Sequence, residues 1–194
     1  MTSDALERLR RILPPSPASA EWAALDLQGV AEAEAALGVQ LPPDYLDFLG
    51  VYGAGLLDDS LLIAAPATAP GHRYSTSVVE ITGTFRRAAA KPYRAEILGD
   101  GDMYIHWGVD GGGDFYYLWR VEGESSAEWP VCVYDDELTV LPYGMVEFLA
   151  RACTGGLPGE LQCKFRGNGH EFLHWQDQYR RDVEQYGSGS YIPG

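Results

Sequence analysis

Gly38-Val39-Gln40-Leu41-Pro42-Pro43-Asp44-Tyr45-Leu46-Asp47-Phe48-Leu49, followed by Tyr52-Gly53-Ala54-Gly55, is the most informative stretch of the chain. Gly38 is placed to end a helix over 28–37, because glycine enters the left-handed conformation that helix ends need. Proline fits the first turn of a new helix, where no N–H is required, and Asp44 favours the positive end of its dipole. Tyr45, Phe48, Leu49 and Tyr52 then share one face at helical spacing. Gly53-Ala54-Gly55 stops that helix.

Working outward, 4–13 spaces Leu6, Leu9, Ile12 and Leu13 for a first helix, which Pro14 and Pro15 end. Residues 14–20 read as a linker, and Trp22 and Leu25 open the folded body. Leu61, Leu62 and Ile63 predict a short buried strand. Residues 64–74, with Pro66, Pro70 and Gly71, predict a loop, and 76–90 a helix with Val79, Phe85 and Ala89 inward. From 95 to 141 the pattern changes to short β runs at 95–98, 104–108, 115–120, 131–134 and 138–141, separated by polar turns. A closing helix over 143–153 ends at Gly155-Gly156. The tail predicts a glycine-rich stretch, a helix near 169–186 and a flexible end at 187–194. Helices, one antiparallel meander and further helices make an α+β fold. The expected sheet has about five or six strands. The expected division is an N-terminal helix and linker (1–21), an α+β domain (22–154) and a helical extension (155–194).

The chain has 194 residues, with 14 Lys and Arg against 28 Asp and Glu, a formal net charge of −14. Such a chain repels phosphate backbones and anionic lipid and attracts basic partners. The charge is uneven. Residues 98–150 carry eleven acidic residues against one basic, Arg120, whereas 151–194 is balanced at five of each. Either the strand-connecting turns are polar and acidic for solubility, or they form a surface for a basic partner. Cys132, Cys153 and Cys163 form no C-x-x-C, so a disulfide framework or cysteine zinc site is not expected, and three reduced core thiols are. No apolar segment approaches membrane-spanning length and no secretory leader is visible, so a cytoplasmic location is expected.

One motif suggests catalysis. His170-Glu171-Phe172-Leu173-His174 is H-E-x-x-H. On a helix its histidines would lie on one face and could hold zinc, with Glu171 as general base. A third ligand would come from Asp177, Asp182, Glu184 or upstream. The competing reading is two incidental histidines. No cofactor is expected. Asp100-Gly101-Asp102 lacks the acidic twelfth residue of a calcium loop, and Gly111-Gly112-Gly113 lacks the Lys of a phosphate loop.

The 38–55 stretch resembles the N-terminal signature of the SUKH superfamily, the Smi/Knr-like proteins. Trp107-Gly108 with Gly113-Asp114, Tyr117 and Trp119 continues the resemblance. So do Trp129-Pro130-Val131 and a closing helix with Glu147-Phe148-Leu149. The resemblance covers about 22–153. It implies an α+β fold and a binding role without catalysis. Bacterial members are commonly immunity proteins that neutralise a toxin domain, often a nuclease or deaminase, and fungal members are signalling scaffolds. The expected partner is therefore a basic protein toxin domain, and the oligomeric state is left open. The signature residues are expected to build the fold. The expected contact residues are the acidic turn residues Asp100, Asp102, Asp110, Glu122, Glu124, Asp135, Asp136 and Glu137, with exposed aromatics beside them.

Overall fold

The computed structural model describes residues 4–67, 76–112, 115–165 and 169–187, with only the backbone of Trp22, Glu160 and Tyr186. The expected turn residues Gly113 and Asp114, most of the 64–74 loop and the 188–194 end lie outside the described residues. Among those described, eight α-helices surround one antiparallel sheet of seven strands, ordered β6-β5-β4-β3-β2-β1-β7.

The helices follow local chemistry. Asp4–Ile12 (α1) turns Leu6 and Leu9 inward. Pro17–Trp22 (α2) is capped by Ser16, whose hydroxyl accepts the Ser19 N–H at 3.0 Å, so part of the expected linker is a helix. Leu27–Leu37 (α3) is capped by Asp26 and ends at Gly38, φ +74°. Pro43–Tyr52 (α4) buries Tyr45, Phe48, Leu49 and Tyr52 as their spacing requires. Val78–Ala89 (α5) is capped by Ser77. Pro92–Leu98 (α6) corrects the strand expected at 95–98. Proline starts this helix, Gly99 (φ +66°) stops it, and its short apolar run suits either state. Met145–Ala152 (α7) closes the expected domain, and Trp175–Tyr186 (α8) follows in the tail.

The strands are Gly55–Leu57 (β1), Leu61–Ile63 (β2), Tyr104–Asp110 (β3), Tyr116–Arg120 (β4), Val131–Tyr134 (β5), Leu138–Leu141 (β6) and Phe172–His174 (β7). The central strands are buried on both faces. Ile105, Trp107, Tyr117, Trp119, Val131 and Val133 join the main core with α1, α4 and α7. Tyr104, Leu118, Cys132 and Tyr134 meet Phe85, Ala89 and Leu98 beneath α5 and α6. This alternation is the two-residue period of a strand. A register shift between His106 and Gly108 marks a bulge in β3. At Gly108 an added Cβ would press on the Leu61 side chain, which would have to shift to admit it.

The tail departs most from expectation. The helix foreseen near 169–186 begins only at Trp175, and the residues before it form β7, which pairs antiparallel with β1. Leu157, Leu161 and Phe165, in and beside the 3-10 segment Gly159–Phe165, also join the main core. Residues after 154 therefore contribute both a sheet strand and core side chains. Of the three thiols, Cys132 and Cys153 are buried, which pushes them up to about 11 and about 12. Cys163 is exposed, so the expectation of three core thiols fails there.

Candidate functional site

The 38–55 stretch builds structure. Its Asp44 carboxylate accepts the Val146 N–H at 3.1 Å and so caps α7, whose own N-cap position is Gly144. A Cβ at Gly144 would collide with Asp44, so the absence of a side chain there admits the cap. Tyr45 donates its hydroxyl to the Ala64 carbonyl and Tyr52 to that of Leu13, each at 2.6 Å. Tyr45 also packs edge-on against Trp119, which stacks on Trp107.

Burial pushes the Asp44 carboxyl above its usual range, against the N–H groups of Val146, Tyr45 and Met145, which pull it down. A carboxyl held above its unfolded value stabilises the fold fully only at low pH, and that contribution fades as pH rises through the folded value. Asp44→Asn keeps an acceptor and carries no charge. Its stability relative to the parent is expected to improve from pH 4 to pH 7. Asp44→Ala is expected to be ~1–2 kcal/mol less stable than Asp44→Asn throughout, because the α7 N–H loses its partner. Denaturant unfolding across that pH range measures both.

The eight expected contact residues do not form one patch. The β1–β2, β3–β4 and β5–β6 turns share one end of the sheet, here called the hairpin end. Asp110, Asp135, Asp136 and Glu137 lie there, and Asp100, Asp102, Glu122 and Glu124 lie at the opposite end. At the opposite end Asp102 pairs with Arg86 at 3.3 Å and Glu122 with Arg120 at 2.5 Å. Asp100 accepts the Asp102 N–H, and Glu124 is exposed.

At the hairpin end Asp110 is a correction. Its side chain is 3% exposed, accepts the Phe115 N–H at 3.0 Å and faces Lys164 at 3.7 Å. It holds the β3–β4 turn and offers no surface to a partner. Asp136 and Glu137 are exposed, and Asp135 is half-buried. Neither Asp136 nor Glu137 makes an ion pair among the described residues. The exposed Asp59 in the β1–β2 turn joins them, and sequence reasoning missed it. Its signal was there, in an acidic pair (Asp58-Asp59) between two apolar runs.

All three non-glycine residues with positive φ among the described residues are aspartates at this end: Asp58 (φ 54°), Asp59 (φ 51°) and Asp136 (φ 83°). Such turn positions favour glycine, asparagine and aspartate, and aspartate is the one of the three that adds a charge. Across four strand spacings the two turns are roughly 19 Å apart, within the footprint of one protein partner.

The H-E-x-x-H segment is not a metal centre. Its expected helix is a strand, so His170 and His174 stand roughly 13 Å apart along an extended backbone, too far to share an ion. His170 instead lies 2.6 Å from Asp58, and Glu171 pairs with Arg181 at 2.7 Å. His174 is buried, and its Nδ1 accepts the Gln176 N–H at the start of α8. Burial lowers its basicity. No group of three or more candidate ligands that could hold a metal ion occurs among the described residues.

A sequence model described as the SMI1 / KNR4 family (SUKH-1) matches residues 24–151, more than half of the chain. The chain belongs to the SMI1/KNR4 family. The match runs from just before α3 nearly to the end of α7, so it takes in the α4 signature, the central strands and the Asp44 cap. The α1–α2 segment and everything from the 3-10 segment to α8 lie outside it. Searches of curated proteins and of solved structures gave no match. No helix among the described residues is long and apolar enough to cross a membrane.

Proposed function

We infer that this SMI1/KNR4 protein is a non-catalytic, immunity-type binding protein. It neutralises a basic toxin domain of the nuclease or deaminase kind by covering it one-to-one. Family membership supports a binding role. The observation that carries the reading is the hairpin end, where Asp59, Asp136 and Glu137 are exposed and make no ion pair among the described residues. Exposed carboxylates without a neighbouring cation raise the association rate with a basic cleft by electrostatic steering.

The direct test titrates the purified chain into a basic nuclease or deaminase toxin domain encoded beside it. Loss of toxin activity at one-to-one stoichiometry is expected. Undiminished activity at excess overturns the reading, and capture of endogenous signalling proteins in its place selects a scaffold role.

The contact surface has its own test. Because Asp136 needs a positive φ, the suitable change there is Asp136→Asn, combined with Glu137→Lys. The double variant is expected to slow association about three- to ten-fold at low salt and to flatten its salt dependence, with little change in dissociation rate. Stopped-flow binding at two ionic strengths measures it. Unchanged kinetics would remove this turn from the interface.

A further inference from the structure

The two edges of the sheet are finished differently. At one, β7 is buried, with α2 and α8 packed against it. At the other, β6 ends the strand order and pairs only with β5 among the described residues. Val140 on β6 is 40% exposed, and Leu138 and Thr139 are half-buried. We propose that β6 docks an extended segment of a partner protein, apolar with Lys or Arg at one end, as an eighth strand of the sheet.

The ladder leaves main-chain groups for that strand. Asp135 donates its N–H to the Glu137 carbonyl at 3.1 Å, so these two form a hydrogen-bonded pair. Alternation makes Val133 and Thr139 the next such pair. Leu138 and Val140 therefore turn their N–H and C=O groups away from β5. On the other side of β5, Arg120 donates to the Pro130 carbonyl at 3.1 Å. By the same alternation Cys132 and Tyr134 spend their main-chain groups on β4, which agrees with this phase. Outside the β5–β6 ladder no backbone hydrogen bond reaches Leu138 or Val140 among the described residues. Sheet edges are ordinarily blunted by a charge, a proline, a bulge or a cover. Leu138-Thr139-Val140-Leu141 holds no charge and no proline, and its register with β5 is unbroken. An edge left open in this way accepts an extended peptide by main-chain pairing.

Charge selects the occupant. Asp136 and Glu137 lead directly into β6, both exposed and neither in an ion pair among the described residues. Arg94 on α6 is engaged elsewhere: its guanidinium lies over the Tyr116 and Tyr134 rings at 5.2 and 5.7 Å and donates to the Tyr116 hydroxyl. From 121 to 150 the chain has no Lys or Arg. A second copy laid antiparallel on β6 would therefore bring no cation to Glu137 and would add a further net charge of −14. A basic segment of another protein sets a cation directly opposite. This inference rests on the binding reading above only for the partner being a basic protein.

The test pans a phage library of random twelve-residue peptides against the full chain. Amide shifts of the labelled protein then locate the bound peptide. The expected binders carry Lys or Arg beside a short apolar run and shift the Leu138, Thr139 and Val140 amides. N-methylation of the alternate peptide amides that face β6 is expected to weaken binding about ten-fold, and methylation of the amides between them to leave it unchanged. Val140→Pro removes one outward N–H, spares the Val133–Thr139 pair and is expected to weaken binding about ten-fold as well. The methylation series leaves the protein unaltered, so it decides the matter even where that variant fails to fold. Failure to enrich any peptide, shifts confined to other surfaces, or a methylation profile without alternation would each overturn the proposal. A dimer in sedimentation that Val140→Pro dissociates would put a second copy on β6 and overturn it too. Toxin binding unaffected by Val140→Pro and by saturating peptide would overturn it while sparing the immunity reading. Peptides seated on β6 of a chain that neutralises no toxin would uphold the strand site and sink that reading.

Discussion

Phe172→Ala is expected to lower unfolding free energy by about 3–5 kcal/mol, a large part of the 5–15 kcal/mol typical of a domain. The residue lies twenty-one positions beyond the family match, yet it is 2% exposed. Its ring meets Phe48 edge-on at 5.5 Å and Tyr52 at 5.3 Å, and those two stack on each other at 4.7 Å. Truncation to alanine leaves a cavity against the two aromatic residues that anchor α4, and β7 cannot shift to fill it while its ladder to β1 holds. Phe172→Leu keeps much of the volume and is expected to cost less than half as much. Denaturant unfolding of the three proteins decides it. A cost below 1 kcal/mol for alanine would show that β7 is an ornament on a self-sufficient domain. The same logic predicts that a fragment ending at 154 exposes the β1 edge and the Phe48–Tyr52 pair, and aggregates.

The second large effect is acid sensitivity centred on His106. This side chain sits on β3 beneath α5 and is 4% exposed, between the rings of Phe85 and Tyr116. Its Nδ1 is 3.4 Å from the Ile81 carbonyl, and its Nε2 has no hydrogen-bond partner. Burial lowers its pKa to about 4, although the Ile81 and Gly108 carbonyls oppose the shift. In the unfolded chain the imidazole takes up its proton near pH 6.5, whereas the folded protein resists until about pH 4. The stability is therefore complete above pH 6.5 and is lost as pH falls toward 4, by about 3 kcal/mol. His106→Phe removes the titration and leaves the Thr82 hydroxyl bonded to the main chain of residue 106. Its stability relative to the parent is expected to rise by about 3 kcal/mol between pH 7 and pH 4. Parallel stability curves for the two proteins would mean that His106 is solvated in the native state.

These two residues mark the limits of reading the chain alone. The α4 helix, its Pro43 and Gly53 boundaries and its four-residue apolar face were legible, because caps, prolines and 3.6-residue spacing act within a few residues. The two-faced central strands were legible as apolar runs, although their division between two cores was not. Residues 95–98 misread because a short apolar run suits strand and helix alike, and Pro92 and Gly99 settled the matter from outside it. The β7 segment misread because i, i+4 histidines mimic a helix. Its strand state comes from the open edge that β1 offers after 114 residues of intervening chain.

The candidate site divides along the same line. Composition and turn positions showed that 98–150 is acidic, and no local signal says at which end of a sheet a turn will emerge. Strand order and register put Asp136 and Glu137 beside the β1–β2 aspartates, turned Asp110 inward and sent Asp100 and Glu124 to the far end. Helix limits, turn chemistry and net charge are properties of neighbouring residues and belong to the chain as written. Which carboxylates share a face, and whether two histidines can share an ion, depend on backbone pairing between distant segments. That pairing is selected by burial of the whole core, so those answers appear only once the sheet is assembled.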